Sequence, residues 1–144
     1  SNFKMVYDNL IKKIKIKKKN LISVNTKKKS SKNSALDYQK KIKKYFKNKV
    51  ISFDLILLGM GNDGHIASIF PKHTNENKEQ IAYDVKRKDF RRITLSMKTI
   101  NNSKQIFLWL NDKNKANIFK KLKNKKNTPV NYLNTKKTKV FIKE

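Results

Sequence analysis

An α/β domain built on a mainly parallel, Rossmann-like sheet flanked by helices is what this 144-residue chain predicts, and three observations carry that expectation. Residues 55–58 form a short continuous apolar run, as expected of a strand buried on both faces of a parallel sheet. Residues 105–110, QIFLWL, form a second. Around these runs lie segments with apolar residues three and four apart, and strands that alternate with helices favour parallel pairing. The length suits one domain with a core of its own, so residues 1–144 are expected to form a single α/β domain without internal repeats.

The elements follow in order. Phe3, Val6, Tyr7, Leu10, Ile11 and Ile14 mark one face of an amphipathic packing helix that Ser1 could cap. Residues 12–19 lose their apolar members and read as helix end and linker, followed by a short strand at 20–24 and a polar connection at 26–34. Ser34 or Asn33 is expected to cap a helix through Leu36, Ile42, Tyr45 and Phe46 that leads into the central strand. Residues 71–88 are polar and charged and read as a surface loop. A strand at 91–97, a helical turn at 99–103 and the buried strand at 105–110 come next, with Trp109 expected in the core. Asp112 should cap a basic helix through Ile118, Phe119 and Leu122, and a polar turn at 124–129 leads to a last edge strand at 139–142.

The chemistry gathers in residues 53–71, FDLILLGMGNDGHIASIFP. Gly59, Gly61 and Gly64 are spaced as a tight turn that lets backbone approach a bound group. Asp63 and His65 stand two residues apart in that turn, where a helix is expected to begin. A carboxylate and an imidazole at the carboxyl end of a central strand occupy the usual ligand position of an open α/β sheet. The glycines also match the dinucleotide fingerprint, which wants a βαβ unit of about 30 residues and an acidic residue roughly 20 positions on. Glu79 and Asp84 fall near that distance but follow a polar stretch, and Pro71 cuts any helix short, so a nucleotide fold is disfavoured.

The longer string GMGNDGHIASIFP closely resembles the signature of the 6-phosphogluconolactonases. Ser1-Asn2-Phe3, Ala35-x-x-Tyr38, Arg92-Ile93-Thr94-Leu95 and Lys115-Ala116 resemble further family segments in the family's order. Glucosamine-6-phosphate deaminases share the fold and a similar Gly-His-Ile-Ala string, but carry a glutamate five residues after the histidine. That position is Phe70 here, which cannot shuttle a proton, so the resemblance favours the lactonase. It implies hydrolysis of 6-phosphogluconolactone to 6-phosphogluconate in the oxidative pentose phosphate pathway, with no cofactor. His65 would be general base, and Asp63 would orient the imidazole or the substrate and hold the imidazolium once it forms. The N–H groups of the glycine turn, at a helix N-terminus, would meet developing negative charge. Gly59, Gly61 and Gly64 would contact substrate, and Arg92 and Lys115 would take its phosphate or carboxyl group. Arg91 competes with Arg92, since only one of two adjacent strand residues can face the site. Asn62 replaces the proline common in the signature, and His73 matches nothing in it. The chain lines up with the carboxyl-terminal part of the family only, and starts at Ser1, so a fragment lacking the N-terminal part of the fold is expected. Some relatives are fused to glucose-6-phosphate dehydrogenase, which makes fusion to or association with that enzyme a candidate partnership.

Charge is the other conspicuous property, with 37 basic against 10 acidic residues and a formal net charge of +27. Such a balance ordinarily suggests nucleic acid or anionic membrane. Here only Arg87, Arg91 and Arg92 are arginines, whereas nucleic-acid surfaces favour arginine, and lysine with asparagine is the residue bias of A/T-rich codons. No specific nucleic acid is therefore expected as a partner, only nonspecific, salt-sensitive binding. A catalytically inactive basic binding fragment is the remaining alternative. With no cysteine, and His65 and His73 the only histidines, neither disulfides nor a thiolate metal site is expected. No apolar run reaches a membrane span, and the expected compartment is the cytosol.

Overall fold

The computed structural model describes residues 2–71, 73, 79–86 and 91–143. Three strands, β1 (Leu55–Gly59), β4 (Gln105–Leu110) and β5 (Thr138–Ile142), form a parallel sheet in the order β1-β4-β5. Leu57 lies opposite Phe107, and Phe107 opposite Lys139. Between β1 and β4 the chain makes an antiparallel pair, β2 (Ala82–Lys86) with β3 (Arg91–Leu95), and then the short helix α3 (Met97–Asn101). Helix α4 (Lys113–Leu122) connects β4 to β5. The α/β class and the parallel sheet are as the apolar runs predict, and β5 is the edge strand expected at 139–142. β1, expected to be central, lies instead at the other edge among the described residues, because β4 pairs on both its sides and β1 only on one.

Alternation along the strands decides where the core lies. Ile106, Leu108 and Leu110 of β4 are fully buried beside Leu58, under Ile100 of α3, Ala116 of α4 and the segment holding Val130 and Leu133. The opposite face carries Leu55, Leu57 and Trp109, all exposed, with the Phe107 and Phe141 rings tilted against each other at 4.8 Å and Trp109 stacked on Phe141 at 5.9 Å. The expectation of a strand buried on both faces therefore fails, and so does a core Trp109. The continuous apolar run specifies two apolar faces, and the described chain covers only one of them.

Helix α2 (Ser31–Tyr45) is capped by Ser30, whose hydroxyl accepts from the Asn33 N–H, not by Ser34 or Asn33. Ser34, Ala35 and Ile42 form its buried face. It packs on the β2–β3 pair, where Ser31 bonds Asp84 at 3.0 Å and Gln39 accepts from the Ile81 N–H. Residues 82–86 thus form a strand inside the stretch expected as loop: Ala82 and Tyr83 are both buried, without the alternation that marks a strand, and Asp84 and Lys86 give the segment its polar look. Helix α1 (Asn2–Asn9) covers only the first part of the helix expected through Ile14, since 11–13 form a 3₁₀ turn and Ile14 is extended, and it buries no residue, so it is not a packing helix within the described residues. The strand expected at 20–24 makes no ladder; 21–25 is irregular and Asn20 closes a 3₁₀ turn. The possible cap Ser1 lies outside the described residues, as does part of the 71–88 stretch.

Candidate active site

β1 ends at Gly59, at the carboxyl edge of the parallel sheet, and the chain then folds back on itself. The Gly61 N–H donates to the His65 carbonyl at 2.9 Å, and the Gly64 N–H to the Gly61 carbonyl at 3.0 Å. Short bridges from Met60 to Ile66 and from Ile66 to Ile69 continue the fold-back, so the helix expected at His65 does not form. Burial explains the difference. Ile66 and Ile69 are both pulled into the core, and Ala67 between them takes φ 50°, which interrupts any helix.

The three glycines do different work. Gly61 lies against the His65 ring, where a Cβ would stand 2.1 Å from Nδ1. Gly64, at φ 81°, sits on Thr128 and Leu122 and accepts from the Val130 N–H at 3.1 Å. A side chain on Gly59 would meet nothing within 4 Å. The 124–129 stretch, expected as a polar turn, thus ends in buried residues, Thr128 and Pro129, that floor the glycine turn. Its Pro129-Val130 pair was the available signal.

Asp63 and His65 meet. Oδ1 of Asp63 lies 2.6 Å from His65 Nδ1 and also accepts the His65 backbone N–H at 3.1 Å. Burial pushes the Asp63 carboxyl up, but the backbone N–H and ring of His65 outweigh it and hold the group below the usual carboxylate range. An ionised Asp63 can only accept, so Nδ1 carries the proton and Nε2 is left as the basic nitrogen. Behind the imidazole stands Phe70, buried, with ring centroids 4.6 Å apart. Phe70 stood out in the sequence only as the residue replacing the deaminase glutamate; the structure adds that it backs the histidine.

The N–H groups of Gly61, Gly64 and His65 are all engaged within the turn. The absent helix corrects the expectation of a helix N-terminus at this turn, and these three donors already have partners.

The two cations expected at the site lie on different sides of it. Arg92 on β3 places its guanidinium carbon 5.9 Å from the Phe70 ring centroid, while Arg91 is exposed. Both border a cavity of about 890 Å³ that also takes in Ser68, Tyr38 and Ser31. The Ser68 N–H donates to Thr94 Oγ1 at 3.1 Å, which ties the turn to β3. Lys115 reaches the turn from α4 and donates to Asn62 Oδ1 at 2.5 Å. Asn62 as Lys115's partner was invisible in the sequence, where 53 residues separate them. His73 is exposed and gives its backbone N–H to the Phe70 carbonyl.

Residues 1–142 match the family described as glucosamine-6-phosphate isomerases/6-phosphogluconolactonase. A protein of Oryza sativa subsp. indica named probable 6-phosphogluconolactonase 4, chloroplastic, is 35% identical over 141 residues, covering 89% of this chain and 43% of the relative. The 6-phosphogluconolactonase 3, chloroplastic, of Arabidopsis thaliana is 34% identical over 121 residues, 75% of this chain and 37% of its own length. The crystal structure of 6-phosphogluconolactonase from Thermotoga maritima superposes with a TM-score of 0.84 at 28% identity, over 99% of this chain and 64% of that one. A monomeric glucosamine-6-phosphate deaminase, at 19% identity and TM-score 0.73 over 96% of this chain and 63% of its own, shares the fold alone. The chain spans less than half the length of the curated relatives it matches.

Proposed function

Because the chain belongs to the glucosamine-6-phosphate isomerase/6-phosphogluconolactonase family, we propose that it carries the hydrolytic centre of a 6-phosphogluconolactonase. The observation that supports this reading best is the 2.6 Å contact between Asp63 and His65 in a turn at the carboxyl end of β1. A δ-lactone is a cyclic ester. His65 Nε2 takes a proton from water as the water oxygen bonds to the lactone carbonyl carbon. Asp63 keeps the proton on Nδ1 and stabilises the imidazolium that forms. The tetrahedral intermediate then collapses, the ring C–O bond breaks, and the imidazolium returns its proton to the departing ring oxygen. The product is the open-chain phosphorylated sugar acid.

Gly61 gives the imidazole its room, Gly64 lets the turn seat on Thr128, and Gly59 leaves open space at the strand end. Arg92 and Lys115 are the cations offered to the phosphate or carboxyl group, Arg92 with a fork suited to phosphate. The reading calls for a phosphorylated sugar lactone as the only ligand, with no cofactor and no specific nucleic acid. Among the described residues no helix is long and apolar enough to cross a membrane. A cytosolic home belongs to this reading and cell fractionation decides it, two of the relatives being named chloroplastic. Association with glucose-6-phosphate dehydrogenase is likewise proposed, and co-purification tests it.

The deaminase alternative has no carboxylate at Phe70, whose buried ring is packed on His65. The two activities separate in one experiment. Lactone generated in situ should be hydrolysed above its spontaneous rate, and glucosamine 6-phosphate should release no ammonia. Ammonia release without lactone hydrolysis would overturn the proposal.

A further inference from the structure

Asn62 is a position at which this chain departs from the lactonase signature, and the structure puts it in contact with Lys115. Lysine is a point charge on a flexible four-carbon stem, free to sweep through water where nothing holds it. Lys115 is tethered at both ends. Its backbone N–H donates to the Asp112 carboxylate at 2.7 Å, the N-cap bond of α4. Its ammonium donates to Asn62 Oδ1. Between these tethers the side chain borders a hollow formed by Gly59, Met60, Trp109 and Asn111, at the carboxyl ends of β1 and β4.

Asn62 is itself fixed by its neighbours, since Gly61 bonds forward to both Gly64 and His65. The next residue is Asp63, whose carboxylate is committed to His65. The chemistry of the side chain matters. An amide oxygen orients an ammonium without neutralising it, whereas a carboxylate would cancel its charge. An ammonium has three donors, so one bond to Asn62 leaves two for a ligand. Proline has no side-chain acceptor and could make no such bond.

We infer that Asn62 is a positioning residue that holds the Lys115 ammonium beside the Asp63–His65 turn as an anion-binding charge. The identity of the anion, a substrate phosphate or the oxyanion of lactone opening, rests on the lactonase reading; the positioning does not. Ordering the lysine before the ligand arrives removes part of the entropy cost that binding would otherwise bear.

The test is a titration with inorganic phosphate, followed at the backbone amide signals of Gly61 and Gly64 by NMR. The wild-type chain, Asn62→Ala, Asn62→Gln, Lys115→Met and the Asn62→Ala/Lys115→Met double variant are compared. Asn62→Ala should weaken phosphate binding about three- to tenfold, the worth of one net hydrogen bond, with an unchanged melting temperature. Asn62→Gln, which keeps the acceptor, should recover part of the loss. The double variant should bind no more weakly than Lys115→Met, because without the lysine Asn62 has nothing to position. Lactone kinetics identify the anion: a raised KM at constant kcat assigns phosphate, and a lowered kcat at constant KM assigns the oxyanion.

Three results of the titration would overturn the inference, and one of the kinetics besides: Asn62→Ala binding phosphate like the wild type, losses that multiply in the double variant, or no phosphate response at these amides. Lactone hydrolysis indifferent to both substitutions would sink the inference and leave the lactonase standing. Asn62-dependent phosphate binding in a chain that hydrolyses no lactone would do the reverse.

Discussion

Alanine at Gly61 should disable the site without unfolding the protein. Its Cβ would stand 2.1 Å from Cε1 and Nδ1 of His65 and 2.9 Å from Cγ. Carbon contacts settle near 3.5–4.0 Å, so the ring must retreat by roughly 1.4 Å or more. Phe70 blocks part of that retreat, with its centroid 4.6 Å away. Such a move stretches the 2.6 Å bond to Asp63 beyond hydrogen-bonding range. A misplacement of about 1 Å at a reacting group costs on the order of 10²-fold in rate, and that is the loss in kcat/KM we expect. Stability should change little, because the His65 ring is partly exposed and can turn toward water. The other two glycines are controls. Gly59→Ala meets nothing within 4 Å and should be as stable as the wild type, which makes it the control for folding. Gly64→Ala puts a Cβ 2.3 Å from Thr128 at φ 81° and should destabilise the fold, by about 1–3 kcal/mol from backbone strain alone. Lactone hydrolysis and thermal melting measure the activity and the stability; imidazole NMR shifts follow the Asp63 bond without reference to activity. A Gly61→Ala protein with wild-type rates and an intact Asp63–His65 bond would refute the reasoning.

Asp63→Asn should lower activity by about 10²–10⁴-fold, the range of a misdirected general base, and should melt below the wild type at neutral pH by the small contribution of a half-exposed pair. Because the Asp63 pKa is held down in the folded state, its contribution to stability is present above the unfolded carboxylate value and is lost as pH falls through the lower folded value. The stability difference between wild type and Asp63→Asn should be flat above about pH 5 and shrink below about pH 4, as denaturant titrations across pH would read. Leu108→Ala, at a fully buried position, should cost about 2–5 kcal/mol, and Leu57→Ala, 70% exposed on the bare face, less than 1 kcal/mol or so. Equal costs in urea unfolding would mean that both faces of the sheet are covered. Trp109, 53% exposed, should be readily quenched by acrylamide; a protected indole would contradict the bare face.

What the sequence revealed follows from the range of the forces involved. The strands at 55–59 and 105–110 and the Asp112 cap are local signals, a run or one hydrogen bond, and they stand where expected. The pairing of Asp63 with His65 is also local, two residues apart, and an Asx-type bond makes it nearly obligatory once the turn forms. The failures are failures of context. Leu57 and Trp109 read as core because apolar residues in a strand have a face to cover, but nothing in the run says whether a partner covers it. β2 escaped notice because α2 and β3 supply its neighbours, at separations that periodicity cannot report. A helix at His65 seemed a natural sequel to a glycine turn, yet the burial of both Ile66 and Ile69 draws the chain into bridges instead. Asn62 with Lys115 and Gly64 with Thr128 are contacts between distant segments, and only the fold brings them together.

The central claim is that the Asp63–His65 pair activates water for lactone opening. The most direct measurement is hydrolysis of 6-phosphogluconolactone, formed in situ, by the wild-type chain and by His65→Ala, after subtraction of the spontaneous rate and with folding verified for both. The account predicts hydrolysis by the wild type and a loss of about 10²–10⁴-fold in the variant. Full activity in a folded His65→Ala chain would contradict it.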